Sequence, residues 1–163
     1  MRSIAALLAV AICAGLYVFY APSRPQNAVA AMTTGNYDIA AEYYTQAVNE
    51  GDQRASNSLG NLYYLGLGIE RNYQRASELY FESASAGIAD AQLNLGHMFK
   101  LGLGVDTDPM RAFAWYNMAD IHGSPAAELY MSQIAREWTL SPMQISTALS
   151  KWSKLEFLVD EGL

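Results

Sequence analysis

The chain has 163 residues and carries sixteen acidic against ten basic side chains, for a net charge of −6. A surface of that sign repels phosphate, which argues against a nucleic-acid partner. Cys13 is the single cysteine, so an internal disulfide and a cysteine-ligated zinc site are both ruled out.

Met1 and Arg2 precede an uncharged run over residues 4–20, which has the charged start and apolar body of an export signal. Residues 1–21 are therefore expected to be a signal peptide or membrane anchor. The run is short for a bilayer span, but it ends in Tyr17, Phe19 and Tyr20, which suit an interfacial belt and favour retention. Cleavage after the small residues at 28–30 is the alternative. Either way the rest of the chain is expected outside the cytoplasm, anchored in the inner membrane and facing the periplasm, or cleaved and soluble there or secreted. About 130 residues remain, enough for one domain with its own core. Residues 22–35, which open with Pro22 and Pro25, read as a spacer, although the apolar stretch at 28–32 can supply a turn or two of helix.

The body of the chain repeats. Residues 55–88 laid on 91–124 at an offset of 36 give eleven identities in thirty-four positions, where unrelated sequence gives roughly two. They include Leu59/Leu95, Gly60/Gly96, Gly66/Gly102, Gly68/Gly104, Ala76/Ala112 and Tyr80/Tyr116. Within each copy, apolar or small residues at helical spacing mark a first helix. Gly66 and Gly68, like Gly102 and Gly104, should end it, because the chain must turn through left-handed backbone there. Asn36, Asn72 and Asp108 recur at the same period and should cap the second helices, with Pro109 at a first helical position. The buried stripes expected on those helices are Ala76, Leu79, Tyr80 and Ala84 in one copy, and Ala112, Trp115, Tyr116 and Ala119 or Asp120 in the other.

Partial units flank the two copies. Residues 36–51 match a second helix, with Ala40, Tyr44 and Gly51 on the template. Residues 125–137 match a first helix, with Ala127 and Met131 in register. Over 138–163, Ser141-Pro142-Met143-Gln144 is a capping box that opens a closing helix with Ile145, Leu149, Trp152 and Leu155 or Glu156 on one face. An open stack of hairpins needs such a cap.

The pattern A-x-x-x-L-G-x-x-(Y/F)-x-x-G-x-G-(V/I), followed by A-x-x-(W/L)-Y and a closing Gly, resembles the Sel1-like repeat, a relative of the tetratricopeptide repeat with a longer, Gly-marked turn. The resemblance covers residues 36–137. It implies an all-α protein, a right-handed α-solenoid of antiparallel hairpins. It further implies an adaptor, scaffold or regulator rather than an enzyme.

No P-loop, dinucleotide motif, His-x-x-x-His or nucleophile elbow occurs, so no catalytic residue, cofactor or metal is expected. Asp106, Asp108 and Glu70 read as cap and loop carboxylates rather than a cation site. His122 stands where a cation favours the end of a helix dipole; His97 has no such explanation and reads first as a surface histidine. If the hairpins stack as in tetratricopeptide arrays, three rows should face a concave groove. These are Asn57, Leu93 and Leu129; Asn61, His97 and Gln133; and Tyr64, Lys100 and Arg136. Amides and imidazole suit a peptide backbone, and the cations suit an acidic guest. The expected partner is a peptide or helix of an envelope protein, with the membrane engaged through the N-terminal segment. The alternatives are an enzyme acting on cell-wall or β-lactam-like compounds, which the lack of paired cysteines disfavours, and a structural subunit of an envelope assembly.

Overall fold

A helix with one apolar stripe is stable only when that stripe is covered, and in this chain neighbouring helices cover one another in sequence order. The computed structural model describes residues 26–152, and among them are helices and no strand. They are α1 (Ala28–Thr33), α2 (Tyr37–Asn49), α3 (Gln53–Leu65), α4 (Tyr73–Ser85), α5 (Ala89–Leu101), α6 (Pro109–Ile121), α7 (Ala127–Glu137) and α8 (Pro142–Trp152). Each packs on the next up to α7, and α8 folds back onto α6. The readings made for residues 1–21 lie outside the described residues. Among those described, no helix is long and apolar enough to cross a membrane.

The short helix α1 supplies the first limb of the N-terminal hairpin. Asn27 caps it by accepting from the Ala30 amide at 2.8 Å, and Ala31 is fully buried against α2. Of the three expected caps, two act as caps. Asn72 accepts from the Arg75 amide at 2.9 Å, and Asp108 accepts from Met110 and Arg111 at 2.9 and 3.0 Å. Asn36 occupies the same position without capping. Its backbone sits at φ −85°, ψ 66° rather than in the extended region used by the other two, and its amide donates to Thr34 Oγ1 instead.

The turns follow the expected chemistry and add to it. Gly66 and Gly102 end α3 and α5 in left-handed conformation, at φ 71° and 67°. The second glycine of each turn has a further task. A Cβ on Gly68 would collide with the backbone of Tyr37 and Asp38, and one on Gly104 with that of Tyr73 and Gln74. The turn of one repeat therefore rests directly on the first turn of the preceding repeat's second helix, and only a residue without a side chain fits. Gly60 and Gly96 in the helices serve a similar end. Added Cβ atoms there would lie 2.7 Å from the Tyr80 ring and 2.5 Å from the Tyr116 ring, so each glycine is a seat for its own repeat's tyrosine.

The buried stripes are as expected, with Ala119 buried and Asp120 exposed. They divide between two clusters. Leu79 joins an N-terminal cluster with Ala31, Ala40, Leu59 and Leu62, while Tyr80 beside it joins a larger one containing Met98, Phe113, Trp115, Tyr116 and Ile134. Helix α4 thus links both halves. The capping box at α8 forms in both directions, Ser141 N to Gln144 Oε1 at 2.9 Å and Gln144 N to Ser141 Oγ at 3.3 Å. Ala148 is fully buried, and Ile145 and Leu149 pack on the core; the expected Leu155 and Glu156 lie outside the described residues.

Candidate functional site

The glycine seats determine where the groove's polar atoms go. With no side chain on Gly60, the Tyr80 ring lies flat enough against α3 for its hydroxyl to donate to Asn61 Oδ1 at 2.8 Å. The same construction one repeat later places the Tyr116 hydroxyl 2.9 Å from His97 Nδ1. Both tyrosines are buried, at 2% and 0% exposure. Burial raises both of their pKa values, so both phenols stay protonated.

A second set of contacts joins successive repeats. Asn94 of α5 donates from Nδ2 to Asn57 Oδ1 at 2.9 Å and to Asn61 Oδ1 at 3.3 Å. One period on, Tyr130 of α7 reaches back in the same way. Its ring lies 4.5 Å from that of His97, edge to face, and stacks on Tyr116 at 5.5 Å. His97 is consequently half-buried rather than a plain surface histidine. Burial, and then the positive charge of Lys100, lowers its pKa, which makes it neutral near pH 7.

Asn61, Tyr64 and His97 come together in one hollow of about 400 Å³, which is also lined by Leu65, Tyr80, Asn94, Met98 and Leu101. The other expected groove residues lie elsewhere. Asn57 borders the neighbouring hollow toward Asp90, Leu93 packs against the core, and Leu129 is 54% exposed. Gln133 is half-buried on α7. Arg136 is exposed, with Nε donating to Ser132 O at 3.3 Å. Lys100 is no open cation, because its ammonium sits 2.7 Å from the Glu137 carboxylate. Tyr64 packs edge-on against Tyr73, with centroids 5.4 Å apart.

Sequence reasoning missed Asn94, Tyr130 and the two exposed leucines. The 36-residue register does contain the signal. Ser58, Asn94 and Tyr130 form a column just before the Leu-Gly pair, and Leu65 and Leu101 form another just before the turn.

A larger hollow of about 800 Å³ opens at the turn side, lined by Gln74, Glu78, Phe99, Asp106, Asp108 and Arg111 among others. Most of its charges are paired within the protein, Asp106 being exposed. Arg111 lies 3.7 Å from Asp108 and over the Phe99 ring, and Glu78 bonds Arg75 at 2.8 Å. Among the described residues no group of three or more His, Cys, Asp or Glu could hold a metal ion. His122 ends α6, with Nδ1 2.9 Å from Met118 O and 3.0 Å from Gln92 Oε1.

Paired antiparallel helices at a fixed period, joined by Gly-x-Gly turns that rest on the preceding unit, define an α-solenoid of helical hairpins. Sel1 repeats match residues 30–52, 53–88 and 89–119, more than half of the chain, and the chain belongs to the Sel1 repeat family. Members of this family generally act as non-catalytic protein–protein interaction modules. The crystal structure of a Sel1 repeat protein from Oxalobacter formigenes is similar, at 28% identity and a TM-score of 0.64 over 71% of this chain and 47% of that one. So is the crystal structure of c5321, described as a protective antigen present in uropathogenic Escherichia coli strains displaying an SLR fold. There the identity is 23% and the TM-score 0.61, over 85% of this chain and 33% of that one. The chain thus matches less than half the length of either structure. No curated protein matches the sequence.

Proposed function

We propose that this chain is a non-catalytic adaptor or scaffold on the extracytoplasmic side of a membrane. It holds a peptide or helix of an envelope protein in the groove between its first helices. The observation that carries the binding half of this reading is the hollow between α3 and α5. It gathers Asn61, Tyr64 and His97, three residues singled out by their repeat positions alone, around two exposed leucines. Convergent polar groups beside apolar surface are what a recognition site needs. The extracytoplasmic half rests on the sequence over residues 1–21, which reads as a signal or anchor.

Two experiments test the two halves separately. For binding, the chain is captured from membranes through a C-terminal tag and its partners are identified. Leu65→Glu combined with Leu101→Glu should release the partner. Both side chains are more than half exposed, so melting should hardly change. A partner retained by this variant would remove the hollow between α3 and α5 from consideration. For location, a phosphatase fused after Leu163 that works only once translocated should be active; a stable but inactive fusion would contradict export.

A further inference from the structure

Two buried hydroxyl protons decide which atoms the groove offers a guest. A phenol both donates and accepts, but its buried proton must find an acceptor, because an unsatisfied donor in the interior is costly. For Tyr80 the acceptor at hand is Asn61 Oδ1, 2.8 Å away. Turning the Asn61 amide over would leave that proton without an acceptor. Asn61 Oδ1 also accepts from Asn94, and Asn57 Oδ1 accepts from the same amide. Asn61 Oδ1 therefore accepts two bonds within the protein, and what Asn61 has left for a guest is N–H, whereas Asn57 Oδ1 accepts one and keeps a lone pair. For Tyr116 the acceptor at hand is His97 Nδ1. If that nitrogen accepts, the neutral ring carries its proton on Nε2, and this too is a donor. The nine groove positions named from the sequence include no carboxylate, in a chain with sixteen acidic residues. Of the acids beside them, Glu137 is paired with Lys100, and Asp90 lines the neighbouring hollow rather than this one.

We propose that Tyr80 and Tyr116 polarise the hollow by fixing a row of two N–H donors in it, on Asn61 and His97. The guest is then an extended peptide that turns carbonyl and carboxylate oxygens toward this row and seats an apolar side chain between Leu65 and Leu101. The apolar seat follows from the exposure of those two leucines, 57% and 56%, on the rim of the hollow that Asn61 and His97 also line. The inference rests on the groove reading above and gives it a direction, since donors fixed at Asn61 and His97 favour an acidic guest over a basic one.

The chain has two histidines, so long-range ¹⁵N–¹H spectra of the full-length, ¹⁵N-histidine-labelled protein resolve His97, with His122→Gln providing the assignment. At pH 7 His97 should be the Nε2–H tautomer, and Tyr116→Phe should abolish that bias. An Nδ1–H ring in the wild type would overturn the proposal. Two blocked peptides then probe the row through the His97 signals, one with sequence Asp-Ala-Leu-Ala-Asp and the other Lys-Ala-Leu-Ala-Lys. The acidic peptide should bind about ten-fold more tightly, as one charge-assisted hydrogen bond provides. Asn61→Asp keeps the oxygen that Tyr80 and Asn94 use but exchanges the donor for an acceptor. It should reverse the preference, with melting checked to show the fold intact. Equal binding, or preference for the lysine peptide by the wild type, would overturn the donor row while leaving the groove as a binding site. If neither peptide moves His97, the donor row and the groove reading fail together.

Discussion

The two complete repeats share a frame and differ in the face they present. Helices α3 and α4 on one side, α5 and α6 on the other, use the same glycine seat, the same left-handed turn and a capping side chain at the same position. On that frame the first repeat sets Asn61 against Tyr80, and the second sets His97 against Tyr116. The first buries Leu79 where the second buries Trp115. Identical glycines stand where one backbone approaches another, at Gly68 and Gly104, or an aromatic ring, at Gly60 and Gly96. Repetition also extends to the exposed Leu65 and Leu101, so within the hollow the change from Asn61 to His97 is what distinguishes one repeat from the other.

The largest effect that would break this picture is expected in the turns. Gly102 and Gly104 both hold positive φ, at 67° and 74°, but they meet different neighbours. A Cβ at Gly102 runs into the Thr107 hydroxyl, which can rotate away, whereas one at Gly104 runs into the Tyr73 backbone, which cannot. Gly102→Ala should cost about 1–2 kcal/mol from the left-handed backbone. Gly104→Ala adds overpacking against an immobile neighbour and should cost about 3 kcal/mol or more. Denaturant unfolding of both variants decides; equal losses would mean that the second glycine does not carry the stacking of repeat on repeat. A smaller effect compares the three caps. Asp108→Ala and Asn72→Ala should each lose about 1 kcal/mol, while Asn36→Ala should lose much less, because its side chain bonds Thr34 and no helix amide.

These contrasts also explain what could be read without coordinates. The hairpins, their turns, the caps at Asn72 and Asp108 and the closing box at Ser141 were legible, since each depends on residues within a few positions of one another. That Asn61 and His97 would stand side by side was legible too, because stacking at a fixed period aligns equivalent residues. What the inward side chains bond to was not. Tyr80 lies nineteen residues from Asn61, and Asn94 thirty-seven from Asn57, and nothing local in the chain announces such pairs. Lys100 read as an available cation for the same reason, as its carboxylate belongs to α7. The failure at Asn36 is of another kind. The residue type is right, but its backbone lies outside the extended region used by the other two caps, and its side chain bonds Thr34 instead of a helix amide.

The smallest predicted effect isolates the one titratable group that distinguishes the two copies of the tyrosine pair. Burial first, and then Lys100, holds His97 below the ordinary histidine value of 6.5, whereas Asn61 in the first repeat does not titrate. Tyr116, Tyr130 and Lys100 face the ring, with Glu137 behind Lys100, and a proton added to Nδ1 would displace the Tyr116 hydroxyl bond. Above about pH 6.5 the ring is neutral in both folded and unfolded chains and costs nothing. As the pH falls through that value, the unfolded chain takes up a proton that the folded one resists. Stability is then lost until the lower folded value is passed. Carboxylates titrating nearby would mask this in the wild type alone, so the informative quantity is the difference from His97→Gln, in which an amide can still accept from Tyr116. His122 and every carboxylate are common to both proteins and cancel. Between about pH 7 and 5 the wild type should lose stability relative to His97→Gln. A difference independent of pH would mean that His97 is as free to protonate when folded as when unfolded.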